Sequence, residues 1–269
     1  MRKFVIALLG FVAVTATVTA RAAVSAKDAI ALYLLDEGAG TAVADKSANA
    51  NNAAIKGDAK WVDGKFGKGL QLGEGINFSS ATAKGVNGKT ISECLWVMFT
   101  AFNTEAQFGY INATGQASTR FFYFSTWCAA GPPHNCVHLG TLDLAGKWGR
   151  GIVTPPVFDA NKWYYVCGVV DNGAGKVQAY VDGAQKLSQD FPAGDTPGTP
   201  TALWVGSSPE NYQVANAVFD DVGFFNVALT ADDMQMLMTK GLTGALLGGA
   251  TAVDPQAKLA TTWASVKSR

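Results

Sequence analysis

The chain has 269 residues, 48% of them hydrophobic and 16% charged, with 21 Lys and Arg against 21 Asp and Glu. That composition excludes a disordered chain and a long coiled coil, and it can bury one substantial core or two small ones. No cluster of basic residues occurs, which argues against nucleic acid as a partner.

Taken in order, Arg2 and Lys3 precede an apolar stretch over 4–18, and small residues continue through Ala26. This is the layout of a secretory signal peptide, assigned here to residues 1–26. Ala20-Arg21-Ala22 and Val24-Ser25-Ala26 both carry small residues at cleavage-site spacing, so processing after Ala22 and after Ala26 both stand open. The competing reading is an uncleaved anchor, for which the apolar run is short. Cleavage removes Arg2, Lys3 and Arg21 but no acid, leaving a small negative net charge. No later stretch is apolar enough to span a membrane, so a secreted, periplasmic or cell-surface protein is expected.

Residues 30–35 form an apolar strand running into Asp36-Glu37-Gly38-Ala39-Gly40-Thr41, followed by Asp45-Lys46-Ser47 and the Asn-rich Asn49-Ala50-Asn51-Asn52. Trp61-Val62-Asp63-Gly64-Lys65-Phe66-Gly67-Lys68-Gly69-Leu70 reads as a hairpin. Residues 90–99 alternate and 121–125 are strongly aromatic, so both are expected as core strands. The stretch 126–157 holds His134, His138, Trp148, Arg150 and Pro155-Pro156, and reads as an insertion that carries individual function. Runs at 163–170 and 176–181 flank Asp171-Asn172-Gly173-Ala174-Gly175, a turn cluster, and Asp182-Gly183 leads to a short strand at 184–188. The three make a meander. Tyr165, Cys167 and Val169 share one strand face and Val177, Ala179 and Val181 another, and such faces must be covered, which implies a second sheet. After a Pro/Gly/Thr linker over 192–200 come strands at 202–206 and 218–226. Thr230-Ala231-Asp232-Asp233 then opens a short helix with Met234, Leu237 and Met238 on one face. Residues 242–269 form a tail that Trp263 is expected to pin.

Several of these segments resemble laminin-G-like and pentraxin domains of the concanavalin A-like lectin/glucanase superfamily. The similar stretches are the opening strand with Asp36-Glu37-Gly38, the edge hairpin around Phe66-Gly67, the Trp163 strand with its Val181-Asp182-Gly183 closure, and Asp220-Asp221 followed by Ala228-Leu229-Thr230. Ala53 stands where such domains carry glycine. The resemblance covers about residues 28–241. It implies an all-β jelly-roll sandwich of two antiparallel sheets with a short C-terminal helix, over residues 27–241.

Four cysteines in an exported chain are read first as disulfides. Cys128 and Cys136 bracket a turn-rich loop able to bring them together. The resemblance to pentraxins implies the other pair, Cys94 with Cys167. Zinc held by Cys128, His134, Cys136 and His138 is the weaker alternative, since the spacing is unlike common ligand pairs. Hydrolases of the superfamily usually carry Glu-x-Asp-x-x-Glu or Glu-x-Asp-x-Glu along one strand, and this chain has neither. Alternation places Glu93 opposite Cys94, on a solvated face. Asp36, Asp45, Asp220 and Asp221, with Asn49, supply the hard oxygen donors that calcium uses, a cofactor the resemblance allows. Trp127, Trp148, Arg150 and Tyr212 fall in expected loops and are candidates for stacking on or hydrogen-bonding to sugars, whereas Trp96, Trp163 and Trp204 in strands are expected in the core. The expected function is a non-catalytic recognition module for glycan. A protein-binding or structural surface module is the alternative, and a polysaccharide hydrolase or lyase is disfavoured.

Overall fold

A computed structural model describes residues 22–73, 75–102, 104–115, 120–209 and 216–248. Tyr212, Trp263, most of the tail and residues 1–21 lie outside them, as does the Trp148 side chain. In chain order the strands are β1 Ala29–Tyr33, β2 Ala42–Val43, β3 Ala53–Lys56, β4 Lys60–Asp63, β5 Lys68–Leu72, β6 Asn77–Ser80, β7 Thr90–Phe99 and β8 Gln107–Thr114. They continue with β9 Arg120–Ser125, β10 His138–Leu142, β11 Trp148–Val153, β12 Trp163–Asp171, β13 Lys176–Val181, β14 Ala184–Asp190, β15 Thr199–Gly206 and β16 Ala217–Phe225, and the helix α1 spans Ala231–Leu246.

Two antiparallel sheets of eight strands pack face to face. The first runs β14-β13-β12-β7-β16-β5-β4, with β1 also paired to β16, and the second β11-β10-β9-β8-β15-β6-β3-β2. Alternation along β7 explains the layering: Ile91, Leu95, Val97 and Phe99 point between the sheets, while Cys94 and Trp96 point the other way. Phe108, Phe122 and Phe124 answer from the second sheet. Burying one such side chain contributes about 1.5–3 kcal/mol.

The expected elements recur within a few residues, with one difference of consequence. Tyr165, Cys167 and Val169 are covered by α1, through Met234, Leu237 and Leu242, and not by the second sheet. Val177, Ala179 and Val181 do face the second sheet, because they pair with Val170, Gly168 and Val166 on the opposite side of β12. The central strands are thus buried on both faces, which accounts for their nearly continuous apolar runs. Stretch 126–157 supplies β10 and β11, a hairpin that extends the second sheet to its edge. Val24 and Leu242 are both buried, so the folded body extends past 27 and 241.

The disulfides join Cys94 to Cys167 and Cys128 to Cys136, as expected. Cys94 and Cys167 are direct register partners on β7 and β12. Glu93 corrects an expectation. It does lie opposite Cys94, but the Cys94 face belongs to the helix side, so Glu93 points between the sheets and is 0% exposed. A side chain at Gly109, on the facing sheet, would collide with its carboxylate. Neither carboxylate oxygen has a hydrogen-bond partner, and burial holds its pKa well above the usual carboxylate range.

Candidate functional site

The outer face of the second sheet carries the side chains that point away from the core. In β15, Leu203 and Val205 pack between the sheets, so Trp204 faces outward, half-buried. It pairs with Ser79 on β6 and Tyr110 on β8, and Tyr110 pairs with Tyr123 on β9. Register therefore sets three ring-bearing residues side by side across three strands. Tyr123 extends over Gly140 and Gly151, where a methyl group at either position would meet its hydroxyl. His138 closes the row, with ring centroids 4.6 Å from Tyr123 and 4.9 Å from Trp127. Its Nδ1 lies 3.3 Å from Ser125 Oγ, and burial, with the charge of Arg120, lowers its pKa to about 3, so it is neutral at physiological pH.

Three polar atoms on this face are buried without a hydrogen-bond partner: Asn77 Oδ1, Asn112 Oδ1 and Trp204 Nε1. They come from β6, β8 and β15, three adjacent strands. Leaving such groups unpaired costs about 1–3 kcal/mol each, and each is enclosed with essentially no accessible surface, so a ligand pairs with them only after neighbouring side chains shift. No strand of the second sheet contains Asp or Glu, while Arg120 on β9 and Lys56 on β3 bring positive charge, so the strands supply no carboxylate pair for glycoside hydrolysis.

The expected sugar-contacting residues are divided by the structure. Trp127 is half-buried beside His138, on this face. Arg150 is 3% exposed: its Nε donates to Leu142 O at 2.6 Å and its Nη1 to Asn172 Oδ1 at 2.8 Å and Gly194 O at 2.9 Å. It braces the β10–β11 hairpin against two loops, inside the domain, because its partner on β10, Thr141, is itself buried. Trp148 has its backbone in an edge strand, not in a loop. Trp96 is buried, as expected, in the cluster that includes Met234 and Leu237 of α1, and Trp163 packs against that cluster. Trp204, expected in the core, lies in neither core cluster; the continuous apolar run Ala202-Leu203-Trp204-Val205 shows no alternation that would tell which face it takes.

The acidic candidates also separate. Asp45 is a loop organiser, its carboxylate accepting from Leu32 N, Ser47 N, Ser47 Oγ and Asn51 N. Asn49 Nδ2 donates to Ala29 O and Ile30 O in the same knot. Asp36, Asp220 and Asp221 lie near one another at the other end of β1 and on β16. Asp36 Oδ1 accepts from Lys68 N at 2.7 Å, and Gly67, at φ +69, leaves it room that a Cβ would fill. Asp220 Oδ2 accepts from Phe66 N, and Asp221 Oδ2 from Leu242 N where Gly241 breaks the helix. Burial first, then the charge of Asp221, holds Asp220 well above the carboxylate range, and burial pushes Asp221 up to about 7. Asp220 Oδ1 is buried with no hydrogen-bond partner. Among the described residues no three His, Cys, Asp or Glu side chains converge as a ready metal set. The donor chemistry and the orphaned oxygen fit a hard cation that completes its shell with backbone carbonyls and water.

The family described as the concanavalin A-like lectin/glucanases superfamily, of laminin-G type, matches residues 72–235. No curated protein matches the chain. Among solved structures, the binding domain of Paraclostridial Mosquitocidal Protein 1 is similar at TM-score 0.59 and 15% identity, covering 79% of this chain and 52% of that one. The binding domain of Botulinum Neurotoxin DC in complex with SialylT gives TM-score 0.58 and 11% identity, covering 80% and 52%. Trypanosoma rangeli sialidase gives TM-score 0.57 and 12% identity, covering 78% and 32%. This chain therefore spans about half the length of the two binding domains and a third of the sialidase, and at these identities the likeness shows the fold alone. The two-sheet architecture and the match over 72–235 place the chain in the concanavalin A-like lectin/glucanases superfamily, as a laminin-G-type member.

Proposed function

We propose that the protein is an exported recognition module that binds saccharide, without turning it over, on the outer face of the second sheet. The observation that carries this reading is the half-buried, outward-facing Trp204 on β15, in the same sheet whose far side carries the half-buried Trp127 and His138 rings. Sugars present hydroxyls that both donate and accept, and C–H faces that stack on partly exposed rings such as the Trp204 and Trp127 indoles, whereas Tyr110 and Tyr123 are too enclosed to stack. The complex of a structural neighbour's binding domain with SialylT supports the same class of ligand. The two disulfides support an oxidising destination, and among the described residues no helix is long and apolar enough to cross a membrane. Absence of Asp and Glu from the second sheet's strands, with Glu93 enclosed between the sheets, supports a non-catalytic role.

Affinity is expected to be weak, about millimolar to micromolar, because a sheet face desolvates a hydrated ligand's polar groups and must pair each of them. A glycan-array scan of the processed protein, followed by titration of each hit, tests the reading. Trp204→Ala and Asn112→Ala are each expected to weaken binding about tenfold, ~1.4 kcal/mol, with the melting transition retained. Absence of any glycan ligand, or unchanged binding by both variants, overturns it.

We further propose that calcium, where bound, is held by Asp36, Asp220 and Asp221, and not by Asp45, whose oxygens are already engaged by four donors. The ion would supply positive charge to a buried acid pair. It would tie together the segments that meet there, the Phe66 turn, β16 and the start of the last helical turn.

A further inference from the structure

The sequence leaves two cleavage positions open, after Ala22 and after Ala26, and the folded body distinguishes them. Val24 is 5% exposed and belongs to the apolar cluster under α1 that contains Leu229, Met234 and Leu237. Its N–H donates to Asp233 Oδ1 at 2.7 Å, a buried hydrogen bond that ties residue 24 to the helix start 209 positions later. The other oxygen of Asp233 receives Thr230 N and Thr230 Oγ1, so one carboxylate caps the helix and holds the N-terminal segment together. The next residues are equally engaged. Ser25 N and Oγ both donate to Asp28 Oδ2, Asp28 N donates to Ser25 O, and Asn226 N donates to Asp28 O just before β1 begins. Ala22 and Ala23, by contrast, are exposed.

We infer that the precursor is cut at the Ala22–Ala23 bond and that the mature protein begins at Ala23. This inference rests on the export reading of residues 1–22. Water adds across that amide, leaving a carboxylate on Ala22 and an ammonium on Ala23. Ala20-Arg21-Ala22 provides the small residues at the first and third positions before the bond that the processing enzyme requires. A cut after Ala26 would discard Val24 from the apolar cluster, take its N–H from Asp233, and remove the Ser25–Asp28 pair. A cut after Ala22 keeps every one of these contacts. The new ammonium also falls one residue from the segment held by Asp233, where Asp232 and Asp233 supply negative charge at the helix start.

The test is to express residues 1–269 in a host with a general secretory route, recover the protein from outside the cytoplasm, and read its N-terminus by sequencing and intact mass. The expected sequence is Ala-Val-Ser-Ala-Lys-Asp. An N-terminus at Lys27 overturns the inference and leaves export standing, whereas protein confined to the cytoplasm with Met1 retained overturns the export reading itself. As an independent arm, chains 23–269 and 27–269 are produced directly and melted side by side. The shorter chain is expected to melt ~5 °C or more below the longer, and equal midpoints overturn the structural argument for Ala23.

Discussion

Glu93 shows how much one residue's surroundings decide. In water its carboxylate ionises at ordinary acidity, but in the folded protein it lies between the sheets with both oxygens unpaired, and burial raises its pKa. The folded state therefore keeps a proton that the unfolded state has already released. Above a pH of about 4.5 the folded chain binds more protons than the unfolded one, so stability falls as pH rises, by up to 1.4 kcal/mol per pH unit for that group. Glu93→Gln is expected to flatten this decline, read as the difference in urea-unfolding free energy between wild type and variant from pH 5 to pH 8. Identical pH slopes would show that the side chain is hydrated. Glu93→Leu is expected to stabilise at neutral pH by about 1–3 kcal/mol, since it replaces an unsatisfied acid with an apolar group of similar volume.

Among the elements, β7 and β12 form the spine of the first sheet, paired over nine residues from Thr90 to Met98 and stapled where Cys94 meets Cys167. That bond closes a sequence separation of 73, the Cys128–Cys136 bond one of 8. Loop-closure entropy then predicts that losing the first costs ~4 kcal/mol and losing the second ~2.5 kcal/mol. Urea unfolding of Cys94→Ala/Cys167→Ala against Cys128→Ala/Cys136→Ala checks the order, and a larger loss from the 128–136 pair would show that the loop over 129–135 contributes more to folding than its length implies. Hairpin and strand positions were legible because period-2 alternation and Asn/Gly turns are local properties of the chain. What alternation leaves open is which of two buried faces meets the other sheet, and along β12 that was settled by where α1 docks.

For the molecule as a whole, three distant segments converge on the acid pair of β16: the Asp36 strand end, the Phe66 turn and the helix break at Gly241. A cation binding only the folded state raises the melting temperature as its concentration increases. Adding calcium to chelator-treated protein is therefore expected to raise Tm, and Asp220→Asn is expected to abolish most of that shift, while Asp45→Asn, if folded, keeps it. An unchanged Tm in excess calcium would remove the ion from this account.

The sequence by itself determined the strand pattern, the Cys128–Cys136 pairing across its short loop and the resemblance to laminin-G-like domains, because each is carried by residue type and short spacing, while the Cys94–Cys167 pair was implied only through that resemblance. Tertiary structure alone decided the fate of individual side chains. Arg150 and Trp204 occupy strands whose outward and inward faces are assigned only by sheet packing, so the arginine expected at a surface is enclosed and the tryptophan expected in the core faces out. Asp36 and Asp220 are 184 positions apart and Asp45 is only nine from Asp36, yet the fold joins the first two and commits the third to a local loop. Such proximity comes from strand order and register, which depend on every pairing in the sheet at once.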